Sequence, residues 1–111
     1  MQKQLTKEEF IEVANEFGYN VGGKNSNYVA VYLNNVRCAE NLIAYLDAEI
    51  KRGGCYDIRL QSTGEICTSG SGRSLCSKEA FKNHLKRIEK DTLFWKKQYK
   101  LRLIKSIGQN E

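Results

Sequence analysis

The sequence predicts an α+β fold in the order α-β-α-β-β-α, a small antiparallel or mixed sheet with helices packed on it and a long basic C-terminal helix. Three observations predict it. A capped amphipathic run begins at Thr6, an unbroken run of β-branched and aromatic residues occupies 28–33, and apolar residues recur at helical spacing over 81–103. With 111 residues, 41% of them hydrophobic, the chain can bury one modest core but not two, so residues 1–111 read as one α+β domain.

Thr6-Lys7-Glu8-Glu9 has the spacing of a capping box, in which Thr6 accepts from the amide of Glu9 and the Glu9 carboxylate reaches back. Leu5 and Phe10 flank it as a hydrophobic staple. The first helix then places Phe10, Val13, Ala14 and Phe17 on one face and Glu8, Glu12 and Glu16 on another, with Gly18 set to end it in the left-handed conformation. Residues 18–27, rich in Gly and Asn, read as a loop. The run 28–33 has no polar alternation, which predicts a central strand covered on both faces. Asn34 or Asn35 is placed to cap a second helix with the stripe Ala39, Leu42, Ile43, Leu46 and Ile50, ended by Gly53-Gly54 after the basic turn Lys51-Arg52.

Tyr56, Ile58 and Leu60 then alternate with Asp57, Arg59 and Gln61, the period-two pattern of a strand with one wet face. A turn at Ser62-Thr63-Gly64 leads to a partner strand at 65–68. A three-residue loop with Gly64 left-handed sets Leu60 opposite Ile66, whereas a two-residue loop sets Leu60 opposite Cys67 and turns Ile66 to water; the first register is preferred. After a Gly-Ser connector at 69–74, Ser77 caps the last helix, on which Phe81, Leu85, Ile88, Thr92, Trp95, Tyr99 and Leu103 form one stripe. Lys82, Lys86, Lys90, Lys97 and Lys100 cluster on an adjoining face. Phe94, Leu101 and Ile104 fall off the stripe, and since Tyr99, Leu101 and Leu103 also alternate, a break near Asp91-Thr92 is compatible with the pattern.

The charge is unevenly distributed. Residues 1–50 carry four basic and seven acidic side chains, a net −3, while 51–111 carry fourteen basic and six acidic, a net +8. Such a field attracts phosphate backbones or acidic protein surfaces. The expected partner is therefore nucleic acid or a nucleic-acid-binding protein complex, contacted through Arg73, Lys82, Lys86, Lys90, Lys96, Lys97 and Lys100. A solvated Lys-rich helix, or cancellation of the field by the acidic half, is the competing explanation. The alternative function is inhibition or regulation of a nucleic-acid-processing complex through protein contact, of the kind phage counter-defence proteins such as anti-CRISPR-like proteins perform. A patch at Phe94, Leu101 and Ile104 favours a protein interface or a homodimer through the helix.

Little in the sequence points to catalysis. Cys38, Cys55, Cys67 and Cys76 include no Cys-x-x-Cys pair, so neither zinc nor any other cofactor is expected, and without a signal segment the thiols read as reduced, in a cytoplasmic protein. No apolar run approaches the length of a membrane span. His84 is the only histidine, and it reads as structural; pairing with Cys76 would be needed for nucleophilic chemistry. The carboxylate pairs Asp47/Glu49 and Asp57/Glu65 are not placed for acid–base work by spacing alone. The loop Gly70-Ser71-Gly72-Arg73-Ser74 has amides, hydroxyls and a guanidinium suited to a phosphate, but lacks the Lys-Ser/Thr of a Walker loop. Trp95 and Tyr99, set among lysines, suit base stacking, yet their place on the stripe assigns them to the core. No helix-turn-helix, RNA-recognition, KH or zinc-finger signature is present.

Overall fold

The computed structural model describes residues 5–68, 72–75 and 77–109, the side chain of Gln109 excepted. The elements are α1 (Lys7–Glu16), β1 (Tyr28–Tyr32), β2 (Leu42–Asp47), β3 (Arg52–Cys55), β4 (Ile58–Leu60), β5 (Ile66–Thr68), β6 (Arg73–Ser74) and α2 (Lys78–Gln109). The chain is an α+β fold with a small antiparallel sheet and a long C-terminal helix.

The opening helix forms as its residues require. Thr6 Oγ1 accepts from the Glu9 amide and Glu9 Oε1 from the Thr6 amide, each at 3.1 Å, a cap that contributes about 1 kcal/mol. Gly18 ends the segment at φ +85°. Phe10, Val13 and Ala14 are buried, and the Phe10 ring stacks on Phe81 of α2 at 4.5 Å, which joins the two helices.

The expected middle helix does not exist. Its stripe residues Leu42, Ile43 and Leu46 lie in β2, which pairs antiparallel with β1 and with β3; Ile50 falls in the intervening turn, and Ala39 in a one-turn 3₁₀ helix at Ala39–Asn41. The apolar run Leu-Ile-Ala-Tyr-Leu is as compatible with a buried strand as with a helix stripe, and sheet pairing decided it. Gly53-Gly54, expected to stop that helix, instead belongs to β3, where a Cβ on Gly54 would meet the Tyr45 ring at 2.8 Å. Asn34 and Asn35 adopt left-handed conformations in the turn after β1 rather than capping a helix.

The four-stranded sheet has the order β1-β2-β3-β6. β1 is therefore not central; beyond β2 its partner is a single bridge to Gly22. Its outward face is covered only in part, Ala30 being buried there. Val29 and Val31 enter the core, but Tyr28 on the other face is 44% exposed. The β1–β2 register shifts at Val31/Tyr32, making Ile43 an extra residue in β2, and the Ile43 carbonyl accepts from both the Tyr56 amide at 2.7 Å and His84 Nε2–H at 3.2 Å. In the β4–β5 hairpin Leu60 lies opposite Ile66 and Gly64 has φ +86°, the three-residue loop that the hydrophobic pattern favours.

α2 is one unbroken helix of 32 residues. Phe81, Leu85 and Ile88 are fully buried against α1 and the hairpin, Trp95 packs on the core's margin, and the Tyr99 ring lies directly over Gly64. Residues past Tyr99 extend beyond the body, giving extents of 59 × 26 × 24 Å. No helix among the described residues is long and apolar enough to cross a membrane.

Candidate functional site

At about 100° per residue, Lys82, Lys86, Lys90, Lys97 and Lys100 lie roughly 130° around α2 from its buried stripe, and Lys96 only about 55° from it. Lys86, Lys90, Lys96, Lys97 and Lys100 are exposed and Lys82 is half-buried, so α2 presents this side of itself away from the core. The continuity of the helix makes that possible, since a break near residue 91 would have rotated Lys97 and Lys100 away from Lys86 and Lys90.

The same face carries apolar residues. Leu93, Phe94, Leu101, Ile104 and Ile107 are 48% to 71% exposed, and Leu103, which continues the stripe beyond the body, is 47% exposed. Phe94, Leu101 and Ile104 follow the 3–4 spacing of a second seam in which Lys97 takes the intervening position. Lys96, Lys97, Lys100, Arg102 and Lys105 fall in this stretch, and no carboxylate lies between residues 92 and 109. Beside Leu93, a cleft of about 470 Å³ opens between α2 and the turn after β1, lined by Phe17, Tyr19 and Leu33 with Glu89 at its edge. Burial and the nearby Glu89 carboxylate raise the Tyr19 phenol above its usual range.

The loop expected to hold a phosphate is assembled differently. Gly70 and Ser71 lie outside the described residues, as does Cys76, while Arg73 and Ser74 form the edge strand β6 rather than a connector into a helix N-terminus. Arg73 Nη2 donates to Asp57 Oδ1 at 2.8 Å, and Arg87 reaches the same oxygen at 3.5 Å. Gly72 is exposed; a Cβ there would lie 2.7 Å from the Tyr56 ring.

Cys55, Cys67 and His84 are buried. Cys55 is buried, which raises its pKa, and its Sγ–H donates to the Arg73 carbonyl at 3.6 Å. Cys67 Sγ accepts from Gln61 Nε2 at 2.8 Å. His84 is buried with Nδ1 unpartnered, and burial holds its pKa below 6.5. Among the described residues no three His, Cys, Asp or Glu side chains gather as a metal site would require.

The outward face of the sheet carries a feature that helical and charge patterns did not reveal. Tyr28, Tyr45 and Tyr56 stand in a row across β1, β2 and the end of β3, with ring centroids 5.5 and 6.4 Å apart and planes inclined by 16° and 30°. The period-two spacing of Tyr28, Ala30 and Tyr32 marks one face of a strand, but nothing in the sequence joins it to Tyr45 and Tyr56. Comparison with protein-family models, curated proteins and solved structures gives no match, so the reading of these surfaces rests on their chemistry.

Proposed function

We propose that the protein is a non-enzymatic binding protein that docks the outward face of α2 on an acidic protein surface and so blocks or regulates its partner. One observation carries this reading: six large apolar side chains are left in solvent on a helix stretch whose charged residues are all basic. A helix that served only as a solvated face has no use for exposed Leu101, Ile104 and Ile107, whereas a helix laid into a groove uses such residues as anchors. The lysines set among them steer the encounter and pair with carboxylates at the rim. The cleft beside Leu93 offers a recess for a side chain of the partner.

A second reading, nucleic acid along the same face, is favoured by Lys82, Lys86 and Lys90, which succeed one another at one helical turn as phosphate contacts can. Affinity capture from lysate with and without nuclease separates the two. Docking on protein predicts that capture survives nuclease and that Leu101→Asp with Ile104→Asp weakens it at least about tenfold. Nucleic-acid binding predicts loss on nuclease treatment and salt-sensitive binding of mixed-sequence DNA or RNA that Lys86→Glu, Lys90→Glu and Lys97→Glu abolish. Capture indifferent to both sets of substitutions would remove α2 from the site.

A further inference from the structure

We infer that the outward face of the sheet is a separate binding site for single-stranded nucleic acid, with Tyr28, Tyr45 and Tyr56 as the platform on which unpaired bases stack. The site does not depend on the docking of α2, because it lies on the other side of the core. Sheet pairing sets Tyr28 beside Asp47 and Tyr45 beside Gly54, all on the side away from Val29, Val31 and Leu46. The two residues that Tyr45 directly opposes in the sheet are Ala30 and Gly54, which leave its ring room to lie close over the backbone. Tyr56 is held in the row by its amide bond to the Ile43 carbonyl, and its ring lies against Gly72. The three near-parallel rings are thus positioned by small neighbours and by backbone hydrogen bonds.

Between Tyr45 and Tyr56 the surface dips into a recess of about 180 Å³, also lined by Arg52, Gly72, Arg73 and Ser74. That is enough for one planar ring, since a cavity of about 150 Å³ admits benzene. Charge selects the occupant. Arg52 is exposed and forms no ion pair among the described residues although the sheet sets it opposite Asp47, and Asp57 is shared by the guanidiniums of Arg73 and Arg87, so two carboxylates face three guanidiniums and positive charge remains beside the recess. Asp47 accepts from the turn amides of Glu49 and Ile50 and keeps its charge, which places the positive end of the row at Tyr56 rather than at Tyr28. Aromatic rings flanked by guanidiniums match a strand whose bases stack while its phosphates meet the arginines, and a duplex, with its bases stacked inward, cannot use the rings.

The test is fluorescence anisotropy of a labelled oligothymidylate titrated with the full chain, beside a duplex of the same length and heparin as a probe of charge alone. The single strand is expected to bind at least about tenfold more tightly than the duplex, and Tyr28→Ala to weaken it about tenfold while Tyr28→Phe does not. Arg52→Glu should weaken the single strand as well. Tyr28 is exposed, so its replacement reports on binding even if Tyr45→Ala proves unstable. Leu101→Asp with Ile104→Asp should leave oligothymidylate binding unchanged, so failure of the α2 reading is seen separately in the capture experiment. Equal affinity for strand and duplex, displacement of the strand by heparin with no effect of Tyr28→Ala, or no binding at low salt would overturn the inference.

Discussion

His84 stands in the core with Nε2–H donated to the Ile43 carbonyl and Nδ1 facing no partner, an arrangement that only the neutral ring tolerates. Burial lowers its pKa from 6.5; the Ile43 carbonyl and Asp57 pull it back up, while Arg73 and Arg87 push it further down. The unfolded chain therefore takes up a proton at a higher pH than the folded one. The stability associated with His84 is complete above pH 6.5 and is lost as pH falls from there toward the depressed folded value. Thermal melts should accordingly decline through this window. His84→Gln retains an N–H donor for the carbonyl and has no proton to gain, so its decline should be shallower; identical declines would assign the effect to another group.

At the scale of elements, α2 divides into a part that builds the fold and a part that does not. Phe81→Ala should cost about 3–5 kcal/mol in urea unfolding, because it empties the contact with Phe10. Ending the chain after Lys100 removes, among the described side chains, only exposed ones and should change stability by less than about 0.5 kcal/mol, while abolishing capture of the partner. A large loss of stability on truncation would mean that the projecting turns support the body. The stripe of α2 was legible in the sequence as far as Tyr99 because its period persists over many turns. The segment 39–50 was misread because a five-residue apolar run satisfies both periods, and nothing local records that β1 and β3 flank it. Capping box and hairpin register were legible because each is decided within a few residues of itself.

For the molecule as a whole, the charge of α2 bears on self-association. A second copy laid seam to seam would bring five basic side chains against five with no carboxylate between residues 92 and 109 to relieve them. The chain should therefore sediment as an elongated monomer at low salt, consistent with its 59 Å long axis; a dimer there would contradict this charge argument. The basic face could be read from the sequence because charge is counted residue by residue. The tyrosine row could not, since Tyr28, Tyr45 and Tyr56 become neighbours only through pairing across three strands.

The fold has a consequence for how many partners the protein can hold. Its candidate surfaces lie on different elements, one across the sheet and one along α2, and they approach each other at Asp57, which pairs with Arg73 of the recess and with Arg87 of α2. A strand on the tyrosines and a protein on the turns of α2 past Tyr99, which extend beyond the body along its 59 Å axis, could be held at once. In such a ternary assembly the fold acts as a bridge, and the stacked rings of Phe10 and Phe81 tie α2 to α1 within it.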